Sequence, residues 1–201
     1  MTIVIDARAV TKRFGEQLAL EPVSLRIDAG ELVAIVGRSG SGKTTLLSLL
    51  AGFARPDSGT ITGGSDLWSD TAVVPQTLGL LDELTARENA SAPLRLRRIP
   101  RRAADDVAGA LLAELGLGEL ADRFVGEMSA GQRQRVAVAR ALVGGPRLLL
   151  ADEPTSHLDD DARALVMAAV DRRLASGMAA VVVTHDPVVR AAAGAVVEIG
   201  T

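Results

Sequence analysis

The sequence predicts an α/β fold with a mainly parallel sheet, and three observations carry that expectation. Leu32–Val36, Ala72–Val74, Leu148–Ala151 and Ala180–Val183 are continuous apolar runs, the pattern of strands covered on both faces. Helical patterns intervene at Thr44–Leu50, roughly Ala103–Leu115, Ala130–Leu142 and Ala162–Ala175. Strands alternating with helices imply crossover connections, and crossovers give parallel pairing.

In chain order, Thr2–Ile5 and Leu25–Ile27 alternate and predict an antiparallel β subdomain at the N-terminal edge. Val196–Ile199 is a weaker final strand. Ser58–Ser65 is rich in glycine and serine and is expected to be a loop. Between Thr77 and Ala121 the strand signal disappears. There Thr85, with Glu88 three residues on, forms a capping-box pattern, and "DDVAGALLAELGLGEL" predicts an amphipathic helix stopping at Gly116. Residues 77–145 are therefore expected to be a helical subdomain inserted into a core of residues 1–76 and 146–201, all within one domain.

Composition narrows the function. A chain of 201 residues with 48% hydrophobic residues supports one sizeable core. A net charge of −3 gives no reason to expect nucleic acid as a partner. The absence of cysteine excludes disulfides, Cys-based metal sites and thiol nucleophiles. The opening "MTIVIDARAV" has no signal-peptide layout, and no apolar run approaches the ~20 residues of a membrane helix. A soluble chain is expected, so any membrane link must run through a partner. Only two lysines, Lys12 and Lys43, stand against twenty arginines.

One of those lysines completes a phosphate-binding pattern. Gly37-Arg38-Ser39-Gly40-Ser41-Gly42-Lys43-Thr44, continued by Thr45, fits G-x-x-x-x-G-K-[ST] between the strand pattern "ELVAIV" and the helix pattern "TTLLSLL". Backbone N–H groups of such a loop converge on anionic oxygens, helped by the partial positive charge of the helix start. Lys43 is expected to reach the β- and γ-phosphates, and the Thr44 hydroxyl to bind Mg²⁺. Downstream, "RLLLADEP" ends a buried strand in two carboxylates. Asp152 suits the Mg²⁺ side, and Glu153 is placed to polarise an attacking water. These elements alone leave an NTPase and a P-loop kinase both open.

The stretch "MSAGQ" (Met128–Gln132), running into "RQRVAVARAL", is a second anion receptor: Ser129 and backbone N–H groups at a helix start. With this element the chain resembles the nucleotide-binding subunit of ABC transporters, from about residue 3 to the end. "MSAGQ" stands where that family usually carries Leu-Ser-Gly-Gly-Gln. The resemblance extends to Gln76 in "VVPQ", to "LLLADEP", to "SHLD" at 156–159 and to His185 in "VTHD". Phe14 in "TKRFG" stands at the family's adenine-stacking aromatic.

The resemblance implies a P-loop NTPase core, ATP and Mg²⁺ as cofactors, and a head-to-tail homodimer in which each signature covers the nucleotide of the other copy. It implies that Phe14 stacks on adenine and that Gln76 completes the Mg²⁺ sphere and senses the partner. Ser129, Gly131 and Gln132 then contact ATP in trans, and Asp159 links the two sites. His185 touches the γ-phosphate, joining Glu153 and Lys43 as a candidate catalytic residue. An integral-membrane permease is the implied partner, with the chain peripheral at the cytoplasmic face of the membrane. The chain lacks membrane helices and tandem halves, so a stand-alone ATPase subunit is expected. "LGLLDELTARENASAPL" resembles the lipoprotein-releasing and macrolide-export branch and its cell-division relatives. A soluble, non-transport ABC-type ATPase, or a subunit regulating a membrane complex, is the alternative.

The chain departs from the family pattern at Met128, at Ala130 for the first signature glycine, and at His157, where small residues are usual. The run "RLRRIPRR" (Arg95, Arg97, Arg98, Arg101, Arg102) is either a solvated basic face or a contact for the permease or anionic lipid.

Overall fold

β1 (Ile3–Phe14) and β2 (Gln17–Asp28) open the computed structural model as an antiparallel hairpin, closed by a two-residue turn between the paired Phe14 and Gln17. The structure describes residues 2–63 and 70–200. Both hairpin strands are much longer than the short apolar runs predicted. The hairpin buries one face only, so polar residues occupy the other and dilute the apolar signal; register shifts between Ala7 and Arg13 blur the alternation further.

The expected loop at Ser58–Ser65 is corrected. Ser58–Gly63 is strand β4, pairing antiparallel with β1 through Thr60↔Arg8, Ile61↔Ala7 and Thr62↔Asp6. The β-branched trio Thr60-Ile61-Thr62 suits a pleated surface, and Ile61 packs on the core; the flanking glycines hid this. Gly64 and Ser65 lie outside the described residues. The first sheet has the order β2-β1-β4.

The second sheet contains β3 (Leu32–Val36), β5 (Thr71–Val74), β6 (Leu148–Asp152), β7 (Ala179–Val183) and β8 (Ala195–Glu198), in the order β5-β6-β7-β3-β8. Pairing is parallel from β6 to β7, β7 to β3 and β3 to β8. All five residues of β3, of β6 and of β7 are buried, as continuous apolar runs predict, whereas β8 alternates as an edge strand does. Helices α1 (Lys43–Leu50) and α6 (Pro187–Ala192) follow β3 and β7. Leu46 and Leu50 of α1 join Ile35, Leu150, Val181 and, from the hairpin, Ile5 and Ile27 in one core.

The chain divides into two compact units. The first is Met1–Val73 with Arg147–Glu153 and Arg173–Thr201; the second is Val74–Pro146 with Pro154–Arg172. The second unit is helical: α2 (Ala86–Leu96), α3 (Arg101–Glu114), α4 (Ala130–Leu142) and most of α5 (Asp160–Ala175). The capping box at α2 forms as predicted, with Glu88 N donating to Thr85 Oγ1 and Thr85 N to Glu88 Oε2. Ala86 and Ala90 of α2 and Ala104 and Ala108 of α3 are fully buried, small contacts that let the helix axes approach. In the arginine-rich run, Arg95 pairs with Asp105 at 3.7 Å and Arg101 with Glu88 at 3.1 Å, while Arg97 donates to the Gly144 carbonyl at 2.9 Å. Among the described residues no helix is long and apolar enough to cross a membrane.

Candidate nucleotide site

The Gly37–Thr44 loop leaves the carboxyl end of β3 and enters α1, at the sheet edge where open α/β folds place ligands. Gly42 caps the helix at φ +94°, a left-handed conformation, and a Cβ there would overlap the Ala19 carbonyl oxygen. No side chain caps α1, so its first-turn N–H groups are left to an anion. Lys43 Nζ donates to the carbonyls of Gly37 and Arg38, each at 2.8 Å, which lays the ammonium along the loop. Arg38, Ser39 and Gly40 are exposed at the tip, and Thr45 follows on α1. The Ser41 hydroxyl is buried with no protein partner, an orphaned polar atom inside the loop.

Two more strand ends reach this edge. Thr44 Oγ1 donates to Asp152 Oδ2 at 2.7 Å, joining α1 to the end of β6. Asp152 is buried, and hydroxyl with carboxylate forms the hard-oxygen pair that Mg²⁺ prefers. Glu153, next in sequence, takes φ +53° immediately before Pro154, a conformation costing about 1–3 kcal/mol in a non-glycine residue. Its carboxylate accepts from the His185 backbone N–H at 3.4 Å, and its Oε1 lies 3.7 Å from His185 Nε2. Burial pushes the Glu153 carboxyl above its ordinary value, against the pull of the His185 N–H. The His185 ring is mostly exposed, just beyond β7.

Phe14, at the end of β1, is 60% exposed, so its ring is open for stacking. Lys12 Nζ lies 5.8 Å from the ring centroid and is itself held by the Arg55 carbonyl at 2.9 Å and Asp57 at 3.1 Å. Asp57 also accepts from Arg13 N at 2.6 Å. Sequence reasoning assigned nothing to Lys12 or Asp57. The usable signal for Lys12 was its two-residue spacing from Phe14, which puts both on one face of a strand.

The remaining predicted residues belong to the second unit. Gln76 is exposed on a turn closed by Leu78 N donating to the Pro75 carbonyl at 3.0 Å. Ser129 caps α4 in a second capping box, accepting from Gln132 N at 3.3 Å while its own N–H donates to Gln132 Oε1 at 3.0 Å. Gly131 packs on the "SHLD" segment: a Cβ there would lie 2.7 Å from the His157 carbonyl oxygen. Asp159 Oδ1 accepts from Ala162 N at 2.8 Å, starting α5. His157 is exposed at φ +62°.

The residues present fit a magnesium nucleotide. An uncapped helix start, an ammonium beside it and an orphaned hydroxyl are groups of the kind phosphate oxygens take, and the Thr44–Asp152 pair offers oxygen donors of the kind Mg²⁺ takes.

Known proteins resemble this chain over most of its length. Residues 20–156 match the family described as "ABC transporter". The chain is 41% identical over 191 residues to the spermidine/putrescine import ATP-binding protein PotA of Chromobacterium violaceum, covering 91% of this chain and 53% of the relative. It is 40% identical over 202 residues to the lipoprotein-releasing system ATP-binding protein LolD of Hydrogenovibrio crunogenus, covering 92% and 88%. It thus spans about half the length of PotA but most of LolD. The fold superposes on the dimeric structure of MJ0796, a bacterial ABC transporter cassette, with a TM-score of 0.88 at 31% identity, covering 97% of this chain and 94% of that one. A dimeric post-hydrolysis state of the same cassette, bound to ADP and Pi, superposes equally well.

Proposed function

The chain belongs to the ABC transporter family, and on that premise we propose that it binds and hydrolyses ATP as the motor subunit of a membrane transporter. One observation carries the reading. Lys43, the Thr44–Asp152 pair and the Glu153–His185 pair converge on the carboxyl edge of the parallel sheet, so phosphate receptor, metal donors and a candidate base share one edge.

Bound Mg²⁺ would neutralise charge on the β- and γ-phosphates, held by the Thr44 hydroxyl and Asp152, with Gln76 as a further oxygen donor. Lys43 binds phosphate oxygens as a compact point charge. Glu153, its carboxyl raised by burial and its carboxylate fixed by the His185 N–H, orients a water and accepts its proton. His185 presents an exposed imidazole to the γ-phosphate. Phe14 offers an open ring to the base.

The partner is a second copy. Ser129, Gly131 and Gln132 stand at the start of α4, and in a head-to-tail dimer they would close the nucleotide of the other copy, with Asp159 at the crossing. Closing on ATP and opening after hydrolysis would drive a permease, placing the chain at the cytoplasmic face of the membrane. The dimeric cassette and the LolD likeness support this reading.

Glu153→Gln is the test. Turnover should stop while ATP still binds, and an ATP-bound dimer should elute from a sizing column. Parental turnover in this variant would remove Glu153 from the mechanism.

A further inference from the structure

The turn that carries Gln76 continues into a segment of unusual backbone. Leu78 at φ +55° and Gly79 at φ +58° are both left-handed, and a leucine rarely adopts that conformation. The side chain of Arg140, near the end of α4, reaches this point. Its Nη2 donates to the Leu78 carbonyl and its Nη1 to the Gly79 carbonyl, a fork on two consecutive carbonyls. Burial depresses the Arg140 proton affinity, and the two carbonyls are the acceptors that this partly buried guanidinium finds.

The rest of the segment is tied down as well. Asn89, buried on α2, accepts from Leu81 N at 2.9 Å and donates to the carbonyls of Leu81, Leu84 and Thr85. Arg133 of α4 lies 3.5 Å from Asp82, and Gly126 N donates to the Asp82 carbonyl at 3.2 Å. At the other end of α4, Gly131 rests against the His157 carbonyl. One helix therefore holds the Gln76 turn by its last residues and the "SHLD" backbone by its first.

We infer that Arg140 is a positioning residue: its fork fixes the Leu78 and Gly79 carbonyls, and with them the Gln76 turn, to the helix that begins at the signature. The inference rests on the proposed ATPase reading, in which Gln76 meets the metal and α4 starts the trans receptor. Gln76 then takes its working position only when α4 does. In that reading Arg140 acts through the turn and not on the nucleotide, so ATP affinity without metal should not depend on it.

The test compares Arg140→Met and Arg140→Lys with the parent. In Arg140→Met, amide exchange across residues 78–84 should rise at least about tenfold while β3 and α1 stay at parental rates. Its kcat should fall roughly tenfold to a hundredfold, with the metal-free Kd for ATP within about twofold. Arg140→Lys keeps the charge but not the fork, and should fall between parent and Met in both exchange and kcat. Parental exchange and kcat in a folded Arg140→Met protein overturn the inference, as does a lowered Tm with kcat unchanged. If Arg140→Met does not fold, Arg140→Lys decides in the same way. A parent that hydrolyses no ATP counts against the proposed function, and exchange across residues 78–84 then judges Arg140 alone.

Discussion

Thr44 Oγ1 donates to Asp152 Oδ2 at 2.7 Å, joining two residues 108 positions apart in the chain. The bond fixes the first turn of α1 against the end of β6, and it sets the spacing of the two groups proposed to hold magnesium. Thr44→Val keeps the shape and removes the donor, leaving a buried carboxylate short of a partner. Stability in urea should drop by about 2 kcal/mol. Calorimetric titration should show the Mg²⁺-dependent part of ATP affinity lost and the metal-free part kept. Intact Mg²⁺ dependence would mean the metal is held elsewhere.

Asp57 anchors the end of β1 that presents Phe14. The backbone N–H of Arg13, and then the Lys12 ammonium, hold its carboxyl below the ordinary 3.8. A depressed folded-state value stabilises the fold above 3.8, and that contribution is lost as pH falls through the lower folded value. Asp57→Asn should therefore melt earlier than the parent near neutrality, and the two melting curves should converge below 3.8. A gap that persists in acid would show that the charge is not what anchors the strand.

Phe14 tests the base-stacking role. Phe14→Ala should weaken ATP binding about tenfold, within the range of base–aromatic stacking, while Phe14→Trp should bind at least as tightly as the parent. Equal losses of ATP and inorganic triphosphate affinity would place the ring away from the base.

The two small residues that open α4 should respond to very different degrees. Gly131→Ala drives a methyl against the His157 carbonyl and is expected to cost about 1–3 kcal/mol and to disturb the "SHLD" segment. Ala130→Gly removes a methyl at an exposed position and should cost less than about 1 kcal/mol. Paired urea melts measure both; equal effects would mean that the Gly131–His157 approach relaxes freely.

Spacing made parts of the site legible. The P-loop and the Asp152-Glu153 strand end are local patterns whose chemistry depends on neighbours in sequence, and each lies at its expected element, whereas Ser129, expected as an anion receptor, caps its own helix through Gln132. The hairpin and β4 were harder to see because a strand with one wet face carries polar residues and glycine without penalty.

By itself, then, the sequence determined the parallel core, the phosphate loop and the identity of the acidic strand end, because apolar runs and short motifs act over a few residues. Tertiary structure alone decided that Thr44 meets Asp152, that the His185 N–H meets Glu153, that Lys12 and Asp57 back Phe14, and that Arg140 holds the turn after Gln76. Those contacts join residues far apart in the chain. Which polar groups meet across the fold depends on sheet order and helix packing, and no local periodicity encodes either.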